Sequence, residues 1–143
     1  MPRLLVVDDD PDVCEMVRLA IGDRYEVVVE TNGARAVERL AEVKPEVVVV
    51  DLVMPGMDGL TVCEKIKAAR PDTLVVIITA TTRGSDLPDS FWRLGTHADA
   101  FLSKPFDPQL LVVKIHELKV NRIEAKRQAE KPDFNPLPPM AEE

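Results

Sequence analysis

Three consecutive aspartates, Asp8, Asp9 and Asp10, follow the apolar run Leu4 to Val7, and a fourth, Asp51, closes the run Val47 to Val50. Carboxylates held a few Å apart repel by on the order of a few kcal/mol at an effective dielectric near 20, so such a cluster is costly unless a cation resides there. Few hard oxygen ligands with open water positions suit Mg²⁺, which often completes its shell with phosphate oxygens. Two other apolar runs end in groups that complement a phosphoryl group: Thr79 and Ala80 after "LVVIIT", and Lys104 before Pro105. A phosphoryl group would meet the cation on one side and Lys104 on the other, leaving Asp51 placed as a carboxylate nucleophile.

For these residues to meet, the elements carrying them must share an edge. Leu4 to Val7, Tyr25 to Glu30, Val47 to Val50 and Leu74 to Ile78 read as strands, and "DAFLSK" at residues 99 to 104 as a weaker fifth. "EVVVVD" and "LVVIIT" are apolar on both alternating faces, as expected of parallel strands covered by helices on each side. Helical patterns lie between them. Asp10–Pro11 caps one that carries Val13, Met16, Val17, Ala20 and Ile21; Asn32 caps a second with Ala36, Val37 and Leu40; Asp58 opens a third with Leu60, Val62, Cys63 and Ile66. Pro88 to Gly95 reads as a short fourth, and a fifth after "KPFDP" bears Leu111, Ile115 and Leu118. Strand alternating with helix five times predicts a doubly wound α/β sheet with right-handed crossovers. All strand C-termini of a parallel sheet lie on one edge, where ligands bind, so Asp8 to Asp10, Asp51, Thr79, Ala80 and Lys104 converge.

The 143 residues suit one domain. A net charge of −7 and a pI near 4.9, with Lys and Arg scattered among acids, argue against a nucleic-acid surface. No run reaches the roughly 20 apolar residues of a membrane span, and the first ten residues lack the pattern of a signal peptide, which predicts a cytoplasmic protein without membrane contact. Cys14 and Cys63 stand outside any metal-binding spacing and read as buried, reduced thiols. After about Asn121 the composition shifts to a charged helical continuation and a Pro-rich stretch, so residues 1–121 are expected to form the domain and residues 122–143 a charged extension with a flexible tail.

The stretches "VVDDDP", "VVVVDLVMPGMDG", "VVIITA" and "FLSKPF", in this order at strand ends, resemble the signatures of the response-regulator receiver domain of bacterial two-component signalling, in particular its stand-alone, chemotaxis-regulator-like form. The resemblance covers residues 3 to about 120. It implies a flavodoxin-like five-stranded sheet of order 2-1-3-4-5 and a cis Lys104–Pro105 peptide. It further implies Asp51 as phosphoacceptor, Mg²⁺ on Asp8, Asp9, Asp51 and the backbone carbonyl of Val53, and phosphoryl contacts from Thr79, Ala80 and Lys104. Thr79 and Phe101 would form the switch; Phe in place of a hydrogen-bonding tyrosine leaves packing alone to bias it. The implied partners are a sensor histidine kinase or phosphotransfer protein and an output protein. One departure is "TTRGSDLPDSFWRLGTHADAF", a few residues longer than the family's usual connection.

Two other functional classes compete with a switch. An Mg²⁺-dependent phosphohydrolase with an aspartyl-phosphate intermediate commonly needs an acid two residues after the nucleophile, where this chain has Val53. A receiver-like binding module that never becomes phosphorylated would not need the full set of Asp8, Asp9, Asp51, Thr79 and Lys104. Of the remaining residues, Asp10 reads as a helix N-cap rather than a ligand, Gly56 and Gly59 as loop formers, and His97 and His116 as surface residues.

Overall fold

The computed structural model describes residues 1–80 and 97–129. Five parallel strands form one sheet in the order β2-β1-β3-β4-β5. They are β1 (Arg3–Val7), β2 (Glu26–Glu30), β3 (Val47–Asp51), β4 (Leu74–Ala80) and β5 (Ala100–Lys104). The helices among the described residues are α1 (Pro11–Ile21), α2 (Gly33–Glu38), α3 (Leu40–Val43), α4 (Gly59–Ala69) and α5 (Pro108–Ala129). The helix expected over Pro88 to Gly95, the residues Phe91 and Trp92, and the tail beyond residue 131 lie outside the described residues.

Both faces of the sheet are covered, which is why the interiors of its central strands are apolar on both faces. Leu4, Val6, Val47, Val49, Val76 and Ile78 pack on one side with Val13, Val17, Ile21, Leu111 and Ile115 of α1 and α5. Leu5, Val7, Val48, Val50, Val75 and Ile77 pack on the other with Ala36, Leu40, Val62 and Ile66. Each fully buried aliphatic side chain contributes about 1.5–3 kcal/mol of transfer free energy, so the two layers together supply most of the driving force for folding. The caps act as expected: Asp10 accepts from the Asp12 N–H, Asn32 from Arg35 and Asp58 from Thr61.

The second helix departs from its expected form. Its apolar spacing predicts one element after Asn32, whereas the chain breaks at Arg39 (φ −91°, ψ 2°) into α2 and α3. Arg39 N–H is shared between the Arg35 and Ala36 carbonyls, and its guanidinium lies 2.9 Å from Glu30 at the end of β2. Side-chain spacing carries no trace of such a tertiary contact. The last helix runs without interruption past Asn121 to Ala129.

Cys14 and Cys63 are buried in opposite layers, so the sheet separates them and both are free thiols. Burial pushes each thiol from its ordinary 9.0 up to about 11. At pH 8 the thiolate fraction falls from about a tenth in the unfolded chain to about a thousandth in the native protein. Iodoacetamide should therefore label the native protein about a hundredfold more slowly than the denatured one. Equal labelling rates with and without denaturant would contradict this placement of the thiols.

Candidate functional site

The acidic pocket is built at the C-terminal edge of β1 and β3. Ladder pairing sets Val7 beside Val50 and Asp51 beside Ile78, so the residues after β1 and the end of β3 meet in space. One carboxylate oxygen from each of Asp8, Asp9 and Asp51 falls within a group whose members all lie within 4.8 Å of one another. Asp8 is 1% exposed and Asp51 is buried, while Asp9 is exposed to solvent. Asp10 turns away to cap α1, and its N–H donates to Asp8 Oδ1 at 2.9 Å.

Lys104 enters from the end of β5. Its Nζ lies 3.2 Å from Asp8 Oδ2 and 3.4 Å from Asp51 Oδ2. Burial pulls the ammonium pKa down, but the facing Asp8 and Asp51 carboxylates outweigh it and leave Lys104 raised. Burial likewise raises Asp8; Asp51 adds to that shift, while the Asp10 N–H and Lys104 oppose it. Asp8 is thus the carboxylate of the cluster that the fold withdraws most fully from water. Its Oδ2 is fully buried and is faced by the Lys104 ammonium at 3.2 Å. A buried carboxylate oxygen beside two further carboxylates, faced by a single ammonium, is a donor set that fits a hard divalent cation.

Thr79 and Ala80 at the end of β4 and Val53 after β3 stand near the same edge, whereas Phe101 lies three residues before Lys104 on β5. Thr79 is buried on β4, in register with Ser103, and Ala80 stands beside Lys104. Val53 follows β3 with its side chain 70% exposed. Phe101 is half-buried against the layer that contains Leu5, Val50 and Ile77. The peptide between Lys104 and Pro105 is cis. His97 and His116 are exposed and stand outside the pocket.

Gly59 has a role that motif reading assigned only to loop formation. Gly56, with φ +83°, does serve the turn, but Gly59 is the first residue of α4. A Cβ there would stand 2.5 Å from the Asp51 carbonyl oxygen and 2.7 Å from Leu52 Cα, both backbone atoms. The missing side chain thus lets α4 start directly against the strand end that presents Asp51. Gly59→Ala is expected to cost about 2 kcal/mol through overpacking, read as a lowered midpoint in urea unfolding. A wild-type midpoint would show that α4 moves away freely.

A doubly wound parallel sheet that gathers acids, a buried threonine and a lysine at its C-terminal edge defines a receiver-type α/β domain. Residues 4–116 match the response regulator receiver domain, and the chain belongs to that family. Its members work as phosphoacceptor switches in two-component systems. The chain is 36% identical over 114 residues to the DNA-binding response regulator MtrA of Mycolicibacterium smegmatis, covering 79% of this chain and 48% of the relative. It is 27% identical to the DNA-binding dual master transcriptional regulator RpaA of Synechocystis, covering 82% and 49%. The chain spans about half the length of these curated relatives, so the scattered basic residues noted above speak only for the part present here. Among solved structures, response regulator TrrA of Thermotoga maritima in complex with Mg²⁺-BeF is 31% identical, with a TM-score of 0.68 over 82% of this chain and 99% of that one. DrrB, also of Thermotoga maritima, gives 0.73 at 27% identity over 85% and 54%. Among the described residues, no helix is long and apolar enough to cross a membrane.

Proposed function

We propose that Asp51 is the phosphoacceptor, and that the domain takes its phosphoryl group from a sensor histidine kinase or phosphotransfer protein in the cytoplasm. The observation that carries this reading is the convergence of Asp8, Asp51 and Lys104 within 3.2–3.4 Å contacts at one sheet edge. An Asp51 carboxylate oxygen attacks phosphorus and forms the acyl-phosphate O–P bond. The bond from phosphorus to the donor breaks, and the donor leaves as imidazole or, from acetyl phosphate, as acetate.

Asp8, Asp9, Asp51 and the Val53 carbonyl would hold Mg²⁺, which when bound neutralises charge on the phosphoryl oxygens. Lys104 supplies a positive charge to the same oxygens, and Thr79 and Ala80 line the approach from β4. Output follows from Thr79 and Phe101. Movement of Thr79 toward the new phosphoryl group opens space into which Phe101 turns, and because Phe101 has no hydroxyl its two positions differ only in burial. The new surface is read by an output protein. The domain performs chemistry only on its own aspartate, and Val53 leaves no acid two residues after Asp51 of the kind a phosphohydrolase would use. We assign residues 1–121 to this unit and residues 122–143 to a charged extension.

Acetyl phosphate with Mg²⁺ should add a single phosphoryl group, seen by intact-mass measurement and mapped to the peptide containing Asp51. Modification at another residue, or none with a range of phosphodonors, would refute the assignment.

A further inference from the structure

A second charged cluster ties β5 to its neighbours at the opposite end of the strand from Lys104. Asp99 precedes β5; its N–H donates to the Val75 carbonyl at 2.8 Å, and its Oδ2 accepts the Val75 N–H at 2.8 Å. The same Oδ2 lies 2.8 Å from Lys67 Nζ on α4, and Lys67 also donates to the Thr73 carbonyl at 2.6 Å. Both side chains are largely withdrawn from water, at 14% exposure for Lys67 and 25% for Asp99. One turn earlier on α4, the Cys63 sulfur takes a backbone hydrogen bond from His97. Residues 97–99 are therefore pinned both to α4 and to the start of β4.

This placement bears on chemistry at the far end because β5 is an edge strand, paired on one side to β4 alone. Among the described residues no further strand pairs with its other side to hold the register. Pairing runs from Val76 beside Ala100 to Ala80 beside Lys104. A slip of one residue would turn every β5 side chain to the other face, and a slip of two would carry Lys104 about 7 Å along the strand. Either would remove Nζ from Asp8 and Asp51. We infer that Lys67 and Asp99 form a register lock for β5, and that Asp99 is a positioning residue for Lys104 in phosphoryl transfer. The inference rests on the reading of Lys104 given above.

The test is the initial rate of phosphorylation of the full chain by acetyl phosphate at saturating Mg²⁺, followed by intact mass. Asp99→Ala is expected to be slowed about tenfold or more, the scale of loss from a misplaced reactive group. Lys104→Ala is expected to be slowed on the order of a hundredfold. Because Asp99 acts through Lys104, the double variant should be no more than about twofold slower than Lys104→Ala alone, whereas independent effects would multiply. Mg²⁺ affinity, read from thermal stabilisation, should stay within about twofold of wild type in Asp99→Ala, since the carboxylates stand at the ends of β1 and β3. Hydrogen exchange should rise at β5 amides and not at β1 or β3. Asp99→Asn, which keeps an oxygen for the Val75 N–H, should recover part of the rate, and with Lys67→Met it carries the test if Asp99→Ala does not fold. A wild-type rate in all three lock variants, or multiplicative loss in the double variant, overturns the register lock while leaving the role of Lys104 intact. A wild-type rate in Lys104→Ala overturns that role and the lock's chemical consequence together.

Discussion

Asp51→Asn and Asp51→Ala are each expected to abolish phosphoryl uptake from acetyl phosphate while remaining folded. An amide is not a usable nucleophile toward phosphorus, so the loss is complete rather than graded. Folding should survive because Asp51 belongs to the edge and not to either apolar layer. Neutralising it also releases Lys104 from one of its two carboxylates, and Asp8 still faces the ammonium at 3.2 Å. Intact-mass time courses with and without Mg²⁺ make the comparison. Continued addition of one phosphoryl group to both variants would place the acceptor elsewhere.

Asp8→Asn is expected to move stability and metal response in opposite directions. Asp8 is almost wholly buried beside Asp51, and burial raises its pKa. A group whose pKa is higher in the folded state favours folding while protonated. That contribution is present in full below the ordinary value near 3.8 and is lost as pH rises through the folded-state value, so the cost stands at neutral pH. Asparagine keeps an oxygen for the Asp10 N–H and removes the buried charge, while Lys104 retains Asp51. The metal-free variant should gain about 1–2 kcal/mol at neutral pH, a rise in Tm of roughly 3–8 °C. Wild type should gain about 2.7 kcal/mol at Mg²⁺ a hundredfold above its dissociation constant, and Asp8→Asn should lose most of that gain. Thermal melting with chelator and with Mg²⁺ at constant ionic strength measures both. A destabilised metal-free variant that still responds fully to Mg²⁺ would remove Asp8 from the metal site.

Most of this pocket could be read before any coordinates because its chemistry sits at strand ends. Apolar runs such as "EVVVVD" announce strands buried on both faces, and parallel order then brings Asp8, Asp51, Thr79 and Lys104 to one edge without knowledge of the loops. Features that depend on contacts between distant elements were not legible. The break at Arg39, whose guanidinium pairs with Glu30 at the end of β2, has no signal in the apolar spacing through Ala36, Val37 and Leu40. Gly59 matters because of a backbone approach to Asp51 that no motif encodes. The burial of Asp8 beside an exposed Asp9 is set by the fold, to which identical neighbouring side chains give no clue.

The unbroken α5 has a geometric consequence. Its inner stripe of Leu111, Val112 and Ile115 is buried, Lys119 reaches Tyr25 and Glu46, and Arg122 touches the Asp72 carbonyl. Seven further helical residues, about 10 Å of rise, carry the chain to Ala129. The helix acts as a calibrated shaft: one residue added or removed beyond Arg122 advances its end by about 1.5 Å and rotates it by about 100°. The facing of Ala129 itself follows from that count, so a single insertion between Arg122 and Ala129 should turn it to another side while an insertion of seven nearly restores its facing.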